Sequence, residues 1–412
     1  MNISKLRKSP IVTNFISLAS VQGINFLLPI ITIPYLFRVL GVEKYGLFNF
    51  GYAFVQYFII FTDFGFSLSA TKYISIHRED SRKVNEYLNA VLFAGMLIVL
   101  LGFLVVLCVA FFIPKFSNDK TFFLLFYGMV LGNALFPSWF FQGIEKMKYI
   151  TIINITIKII SIIPIFFFVH GPSDYIALPV FYSAGFLIAG CISLYFVYFR
   201  MGMKFFIPKI KMIWWSLKDS SAYFLSRASL SLFTTSNTFI LGLAVNNTAV
   251  GYYAAAEKIY EAINAICYPL SGTLFPYMSK NKNVKFFKKI FFGAISVNTI
   301  IVTCLLILAP FVISILFKTD SLYSVQVLRI LGFAAFITVP SILLGYPFLA
   351  AMGHSNFTNG TVVVASCTHI LGLLFLYFTN SITIYTIAWM VVISQTLLFI
   401  FRVYGVKKYK LL

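Results

Sequence analysis

The residues best placed to do chemistry are charges stranded in apolar sequence: Lys158, Arg227 and Arg329 inside hydrophobic runs, Arg38 at the end of another, and Asp63, Glu257, Lys258 and Glu261. An arginine or lysine near a bilayer centre costs about 2.5–3.5 kcal/mol on insertion scales, so it is kept where it meets a cavity or a partner. Arg227 stands among small hydroxyl residues in Ser226-Arg-Ala-Ser-Leu-Ser231, a composition that fits a wet helix face; the plainer reading is a side chain that snorkels to the interface. Lys158 lies mid-segment, too deep to snorkel, with Asn154 and Ser161 on its own helical face. Arg329 is about two turns into its segment, and Arg38 either marks an interface or meets a ligand. Such a cationic interior suits an anionic head group, and a guanidinium fork matches phosphate oxygens. Glu257 and Glu261 are one turn apart, and Lys258 pairs naturally with Glu261 at i,i+3. That trio is either an ion pair that lets its helix insert or a proton or cation site, and Asp63 either pairs with Arg227 or serves the same coupling.

The elements that position these charges follow from composition. The chain has 412 residues, 60% hydrophobic and 11% charged, with mean hydropathy +0.91. A soluble domain carries about 25% charged residues to keep its surface solvated, so the solvent here is lipid. A spanning helix needs about 20 apolar residues. Apolar runs between charged or Gly/Pro punctuation predict twelve helices, near 11–36, 45–70, 86–112, 121–143, 149–169, 175–199, 219–243, 252–277, 290–316, 323–349, 356–378 and 383–405. The first run is too long for a signal-peptide core and is expected to stay as a helix. The fold class is therefore all-α and polytopic.

Charge sets orientation. With a cytoplasmic N-terminus, 23 of the 32 basic residues fall on the cytoplasmic side: Lys5, Arg7 and Lys8, the segments 72–83, 146–148, 200–218 and 280–289, and Arg402, Lys407, Lys408 and Lys410. Five, Arg38, Lys44, Lys115, Lys120 and Lys318, fall on the other side. Retention of positive loops inside accounts for the bias and for much of the formal charge of +20. The rest reads as attraction to anionic membrane lipids, not as binding to nucleic acid. A repeat is visible too. Gly46 in Gly41-Val-Glu-Lys-Tyr-Gly-Leu-Phe48 matches Gly251 in Asn246-Asn-Thr-Ala-Val-Gly-Tyr-Tyr253, and Pro137 with Gly143 is echoed by Pro347 with Gly353. Two parallel six-helix halves follow, 1–200 and 219–412, joined by a basic cytoplasmic linker, 201–218.

Other chemistry is missing from the sequence. There is no GxxxxGK[ST] loop, HExxH or GxSxG. His77, His170, His354 and His369 lack metal spacing, and His369 reads as a packed helix residue. Cys108, Cys191, Cys267, Cys304 and Cys367 sit in separate apolar runs without CxxC spacing and read as buried small hydrophobes. Neither cofactor nor metal is expected, nor is an enzyme.

Three blocks carry a family resemblance. Ile33-Pro-Tyr-Leu-Phe-Arg-Val-Leu-Gly-Val-Glu-Lys-Tyr-Gly-Leu-Phe48 with Thr62-Asp-Phe-Gly-Phe66 resembles the opening of the Wzx-type oligosaccharide flippases. Trp139-Phe-Phe-Gln-Gly-Ile-Glu-Lys-Met-Lys-Tyr149 and Val250-Gly-Tyr-Tyr-Ala-Ala-Ala-Glu-Lys-Ile259 are similar to two further blocks of that family. The resemblance implies the fold of the multidrug/oligosaccharidyl-lipid/polysaccharide exporter superfamily, two bundles in a V around a central cavity. It implies as substrate an undecaprenyl-pyrophosphate-linked oligosaccharide, such as an O-antigen repeat unit, flipped from the cytoplasmic to the periplasmic leaflet of the bacterial inner membrane. Arg227, Lys158, Arg329 and Arg38 would then meet the pyrophosphate, and a polysaccharide polymerase and chain-length regulator would be partners. Members often carry an acid in helix seven near Asn237, where this chain departs. The rival readings are a drug or cation antiporter of the same superfamily, a non-transporting subunit of a polysaccharide assembly complex, and a membrane glycosyltransferase or ligase.

Overall fold

The computed structural model describes residues 10–265, 267–318 and 321–411; the side chains of residues 10–27, 29, 30, 222, 225–227 and 229–234 fall outside that description. Every regular element among the described residues is helical. In chain order they are α1 (Pro10–Asp63), α2 (Phe66–Ile76), α3 (Ser81–Phe112), the short α4 (Pro114–Ser117), α5 (Lys120–Phe126), α6 (Gly128–Ala134) and α7 (Ser138–Gly143), then α8 (Met147–Phe168) and α9 (Ala177–Tyr195). There follow α10 (Ile210–Ala244), α11 (Asn247–Ala265), α12 (Cys267–Asn281), α13 (Val284–Phe317), α14 (Leu322–Leu344), α15 (Ser355–Phe378) and α16 (Ile384–Lys408). Nine spans among the described residues are long and apolar enough to cross a membrane. The other three expected crossings are helical where described: 11–36 and 219–243 contain the undescribed side chains, and 252–277 carries Glu257, Lys258 and Glu261.

Several boundaries differ from the pattern reading, each for a local reason. No loop separates the first two expected helices. The chain stays helical through Glu43 and Lys44 and only kinks at Gly41, whose φ of 73° and ψ of 167° would strain any side chain. The expected helix 121–143 is three short pieces. Pro137, with ψ at 69°, leaves helical geometry before α7 and lacks an N–H to rejoin it. The helix after the basic connector begins at Ile210. Ile210–Lys218, expected as linker, is thus helical, following Pro208 as helix starts often do. Of the cysteines, only Cys267 is buried; Cys108, Cys191, Cys304 and Cys367 are exposed on apolar helices, so packing in a protein core is not their role.

Starts are fixed by side-chain caps. Asp80 accepts from the Lys83 N–H at 3.1 Å ahead of α3, and Asn283 from Phe286 N–H at 3.0 Å ahead of α13. Thr383 and Thr386 cap α16 reciprocally, at 3.1 and 2.8 Å.

Compactness divides the chain into two units. The first takes Gly51–Ser231 and the described residues up to Thr32; the second takes Ile33–Phe50 and Leu232–Leu412. In the first unit, Tyr87, Phe140, Phe141 and Ile153 are fully buried in the core. Ser69 of α2 and Ser220 of α10 share a buried hydrogen bond at 2.6 Å, which ties the first half of α10 into this unit. In the second, Phe287 stacks on Phe348 with ring centroids 4.1 Å apart, beside Met278 and Leu343. Its tightest seam joins the two repeat-matched glycines. A Cβ on Gly46 would stand 1.7 Å from the Asn247 carbonyl oxygen, and one on Gly251 would stand 2.2 Å from the Val42 carbonyl oxygen. That seam is why 33–50 packs with α11. Outward faces are apolar: Phe112 is 81% exposed and Phe378 79%. Such a surface is stable against acyl chains, not water.

Candidate functional site

In the first unit Lys158 stands halfway along α8. Its helical neighbours show how the position is built. Ile157 is buried in the core, Ile159 is half exposed, and Ser161 is buried where Gly185 of α9 crosses so closely that a Cβ would meet the Ser161 hydroxyl. Asn154 turns its amide back to the Ile150 carbonyl at 2.9 Å. Lys158 itself is half-buried and has no hydrogen bond or ion pair among the described residues. An ammonium held this way keeps all three donors for an incoming acceptor.

Asp63 ends α1 in the same unit, where it accepts from the Ser67 hydroxyl at 3.0 Å. It opens onto a cavity of about 360 Å³ walled by the end of α1, the start of α3 and the α6–α7 region. Arg227, the expected partner of Asp63, lies on α10 with its side chain outside the described residues.

The second unit holds the remaining expected residues. Arg38 is exposed and donates from Nη2 to the Ile315 carbonyl near the end of α13. Arg329 is exposed on α14 between buried Leu328 and half-buried Ile330, and makes no hydrogen bond or ion pair among the described residues. On α11, Lys258 Nζ meets Glu261 Oε2 at 2.7 Å, the i,i+3 pair read from spacing. Glu257 is directed elsewhere and accepts from the Thr238 hydroxyl of α10 at 3.0 Å. One face of α11 is a polar stripe: Tyr253, Glu257, Tyr260 and Asn264. Tyr260 meets Thr338 Oγ1 of α14 at 3.0 Å, while the Tyr253 hydroxyl and the Asn264 carbonyl oxygen are buried and unpartnered among the described residues. Buried polar groups of that kind are the ones ordered water satisfies.

Two residues were under-read from sequence. His369 of α15 is fully buried, with Nε2 2.9 Å from Asn237 Oδ1 of α10 and Nδ1 2.8 Å from Ser394 Oγ of α16. The ring thereby ties three helices. Asn237, the departure noted in helix seven, is one of its partners. Arg402, counted with the cytoplasmic loop charges, is instead buried in α16, 5% exposed, with Nη1 on the Ser341 carbonyl and its guanidinium against Gly345. Gly345 opens a π-helical turn, Gly345–Ala350, and its own N–H also reaches the Ser341 carbonyl, so that oxygen accepts from backbone and arginine together. Removing Arg402 from the charge census leaves the asymmetry between loops intact.

Comparison with known proteins finds similarity along most of the chain. Residues 11–282 fit the family described as polysaccharide biosynthesis protein. A proposed O-antigen transporter of Escherichia coli strain K12 is 33% identical over 280 residues, spanning 68% of this chain and 66% of that protein. A proposed O-antigen transporter of Shigella dysenteriae is 27% identical over 407 residues, 96% of this chain and 99% of that one. Among solved structures, the lipid II flippase MurJ in an inward closed conformation superposes with a TM-score of 0.73 at 15% identity, over 96% of this chain and 87% of that one. An inward-facing multidrug resistance transporter of the MATE family, in the MOP superfamily, gives 0.66 at 12% identity, over 96% and 98%. The chain shares the fold of these two solved structures.

Proposed function

The chain belongs to the polysaccharide biosynthesis protein family, and from that premise we propose that it is a flippase, not an enzyme, which moves a lipid-linked oligosaccharide across the bacterial inner membrane. The substrate is an undecaprenyl-pyrophosphate-linked repeat unit of the O-antigen type, carried from the cytoplasmic to the periplasmic leaflet, with both termini of the chain cytoplasmic. The relatives named as proposed O-antigen transporters support this class of substrate. The observation that carries the reading is Lys158, a half-buried ammonium in mid-helix with no partner among the described residues. A charge held so far along an apolar helix is a cost to the fold, and an acceptor-rich phosphate offsets that cost.

Transport proceeds by alternating access, with Lys158, Arg227 and Arg329 as successive phosphate contacts and Arg38 at the segment end. A ligand drives such a change only by binding the two states unequally, so these contacts must differ between states. Ion coupling is assigned to Glu257. Lys258 and Glu261 satisfy each other, whereas Glu257 has a hydroxyl as its nearest partner; Asp63 is the corresponding acid of the first unit. A polysaccharide polymerase and chain-length regulator are the partners downstream.

The test is flipping of a fluorescent undecaprenyl-pyrophosphate glycan in proteoliposomes of the purified chain. Lys158→Ala should lower the rate at least tenfold with an unchanged melting temperature, and Glu257→Gln should abolish dependence on a pH gradient. Wild-type rates from Lys158→Ala and Arg329→Ala together would remove the cationic site. The antiporter reading predicts the reverse, with Glu257→Gln and Asp63→Asn dominant and a cationic drug transported.

A further inference from the structure

We propose that the hairpin between α12 and α13 is a docking surface for anionic phospholipid. Its five lysines, Lys280, Lys282, Lys285, Lys288 and Lys289, meet headgroup phosphates of the leaflet the hairpin faces, which is cytoplasmic in the orientation proposed above. Such a surface is independent of which substrate the chain moves.

The patch is visible in composition. Between Glu261 and Asp320 there is no aspartate or glutamate, and five of the six basic residues of that stretch fall within 280–289. All five are exposed, and none has an ion pair or side-chain hydrogen bond among the described residues. The basic turn of the first unit is built differently: Arg78 pairs with Glu145 at 2.8 Å, Lys83 with Asp80 at 3.4 Å and Arg82 with Glu86 at 3.7 Å. Either arrangement supplies the positive bias that topology needs. The hairpin also keeps its ammonium donors for an outside acceptor.

Helix stability does not account for the placement. Lys285, Lys288 and Lys289 stand in the first two turns of α13, where the helix dipole disfavours cations. Lys285 and Lys289 are like charges at i,i+4. Lys282 takes a left-handed φ of 47° to close α12, its N–H on the Met278 carbonyl at 2.9 Å, a conformation that glycine adopts without strain. Each of these is a cost in water that a negative membrane surface offsets.

The helix faces say what that surface is. Phe287 is buried with Met278 and Phe348, which turns Lys285 and Lys289, two positions to either side, to the far face. Phe292 shares that far face, i+3 from Lys289 and i+7 from Lys285, and is 62% exposed. Ile300, also exposed, continues the apolar face along α13. Ammonium thus gives way to hydrocarbon over about 5 Å of helix rise, the order in which a bilayer presents headgroup and acyl chain. Tyr277 and Phe286, both exposed, pair across the hairpin with ring centroids 4.7 Å apart, as aromatics at a membrane interface do. A soluble acidic partner would match the lysines and leave the apolar continuation uncovered. Lysines are point charges without the fork that selects a diphosphate, so an open row of them suits several phospholipid headgroups better than one pyrophosphate.

Purified full-length protein is placed in nanodiscs of phosphatidylcholine or of phosphatidylglycerol, and hydrogen exchange is followed in 277–290. A lysine near an anionic surface contributes roughly fivefold to its attraction, so exchange should be at least tenfold slower in phosphatidylglycerol, and high salt should remove the gain. Lys282→Gly with Lys285→Gln and Lys289→Gln should abolish it, whereas arginine at the same three positions should keep it. If the neutral triple variant misfolds by its melting curve, Lys285→Gln with Lys289→Gln carries the test. Equal exchange in the two lipids overturns the proposal, as does a gain that persists in the folded neutral variants. So does protection in phosphatidylcholine by stoichiometric undecaprenyl pyrophosphate or a polyglutamate peptide where phosphatidylglycerol gives none, which would make the hairpin a substrate or protein contact.

Discussion

Several buried polar groups of the second unit are satisfied by neighbouring helices, whereas Lys158 of the first is not. In the second, Lys258 is tied to Glu261, Glu257 to Thr238, His369 to Asn237 and Ser394, and Arg402 to Ser341. In the first, Lys158 has no partner among the described residues, and a wall of carboxamides faces an open cavity. A polar group satisfied inside the protein holds helices together; one left to the cavity waits for something else. Replacement should therefore cost stability at the satisfied groups and binding at Lys158, as at Arg329 of the second unit, equally unpartnered among the described residues.

The sharpest way to break that contrast is at the glycines. Gly46→Ala would place a methyl 1.7 Å from the Asn247 carbonyl oxygen, and neither backbone can yield without opening the seam. A loss of about 3 kcal/mol or more is expected, above the usual range for overpacking, seen as a collapsed peak in detergent chromatography. Gly95→Ala in the first unit, with 4.0 Å of room, should leave the profile unchanged. Next in size, Arg402→Met removes the donor to a buried carbonyl and leaves a gap beside Gly345. About 2–4 kcal/mol should be lost, read from the thermal midpoint. Lys158→Met should instead leave the midpoint unchanged or raise it while flipping falls. Equal destabilisation by the two would end that distinction.

The Lys258–Glu261 pair sits lower on the scale. Both side chains are partly exposed, 31% and 51%, so a double-mutant cycle with Lys258→Met and Glu261→Gln should give a coupling below about 1 kcal/mol. A value several times larger would mean that this pair is a core element, and Glu261 would then be removed from any coupling role.

How much of this was legible in sequence depended on distance along the chain. Run lengths exposed the polytopic helical class because each span carries its own signal, and the Lys258–Glu261 pair was legible because helical spacing fixes it. Gly46 and Gly251 were matched as repeats, yet their mutual packing needed the fold. His369 read as a solitary core residue because Asn237 is 132 positions away and Ser394 is 25. Arg402 sits within six residues of Lys407 and Lys408, so loop charge masked a buried one. The cavity draws Gln56, Asn133 and Gln142 from separate helices; of its lining, Thr62, Asp63, Phe66, Trp139 and Gln142 had a signal, in the blocks that carried the family resemblance. The continuous helix through Glu43 and Lys44 was missed because two charges beside a glycine look like a loop until the seam behind them is known.

The smallest effect lies outside the membrane spans, at the ion pair between Arg78 and Glu145. The Arg78 guanidinium donates to Glu145 Oε1 at 2.8 Å and holds that carboxyl below its ordinary range. The sign follows from the direction: an acid whose folded pKa is depressed stabilises the fold above the usual carboxylate pKa, and the gain disappears as pH falls through the folded value. Both side chains are well exposed, so screening keeps the gain slight. It should be visible as local protection only. Hydrogen exchange in the turn from His77 to Asp80 should speed up in Glu145→Gln at pH 7, and the difference from wild type should close below the carboxylate range. Salt at 1 M, where the screening length is about 3 Å, should close it at any pH. Persistence of the difference in acid would mean that the turn is held by the Asp80 cap on Lys83 N–H and that the Arg78 link adds nothing.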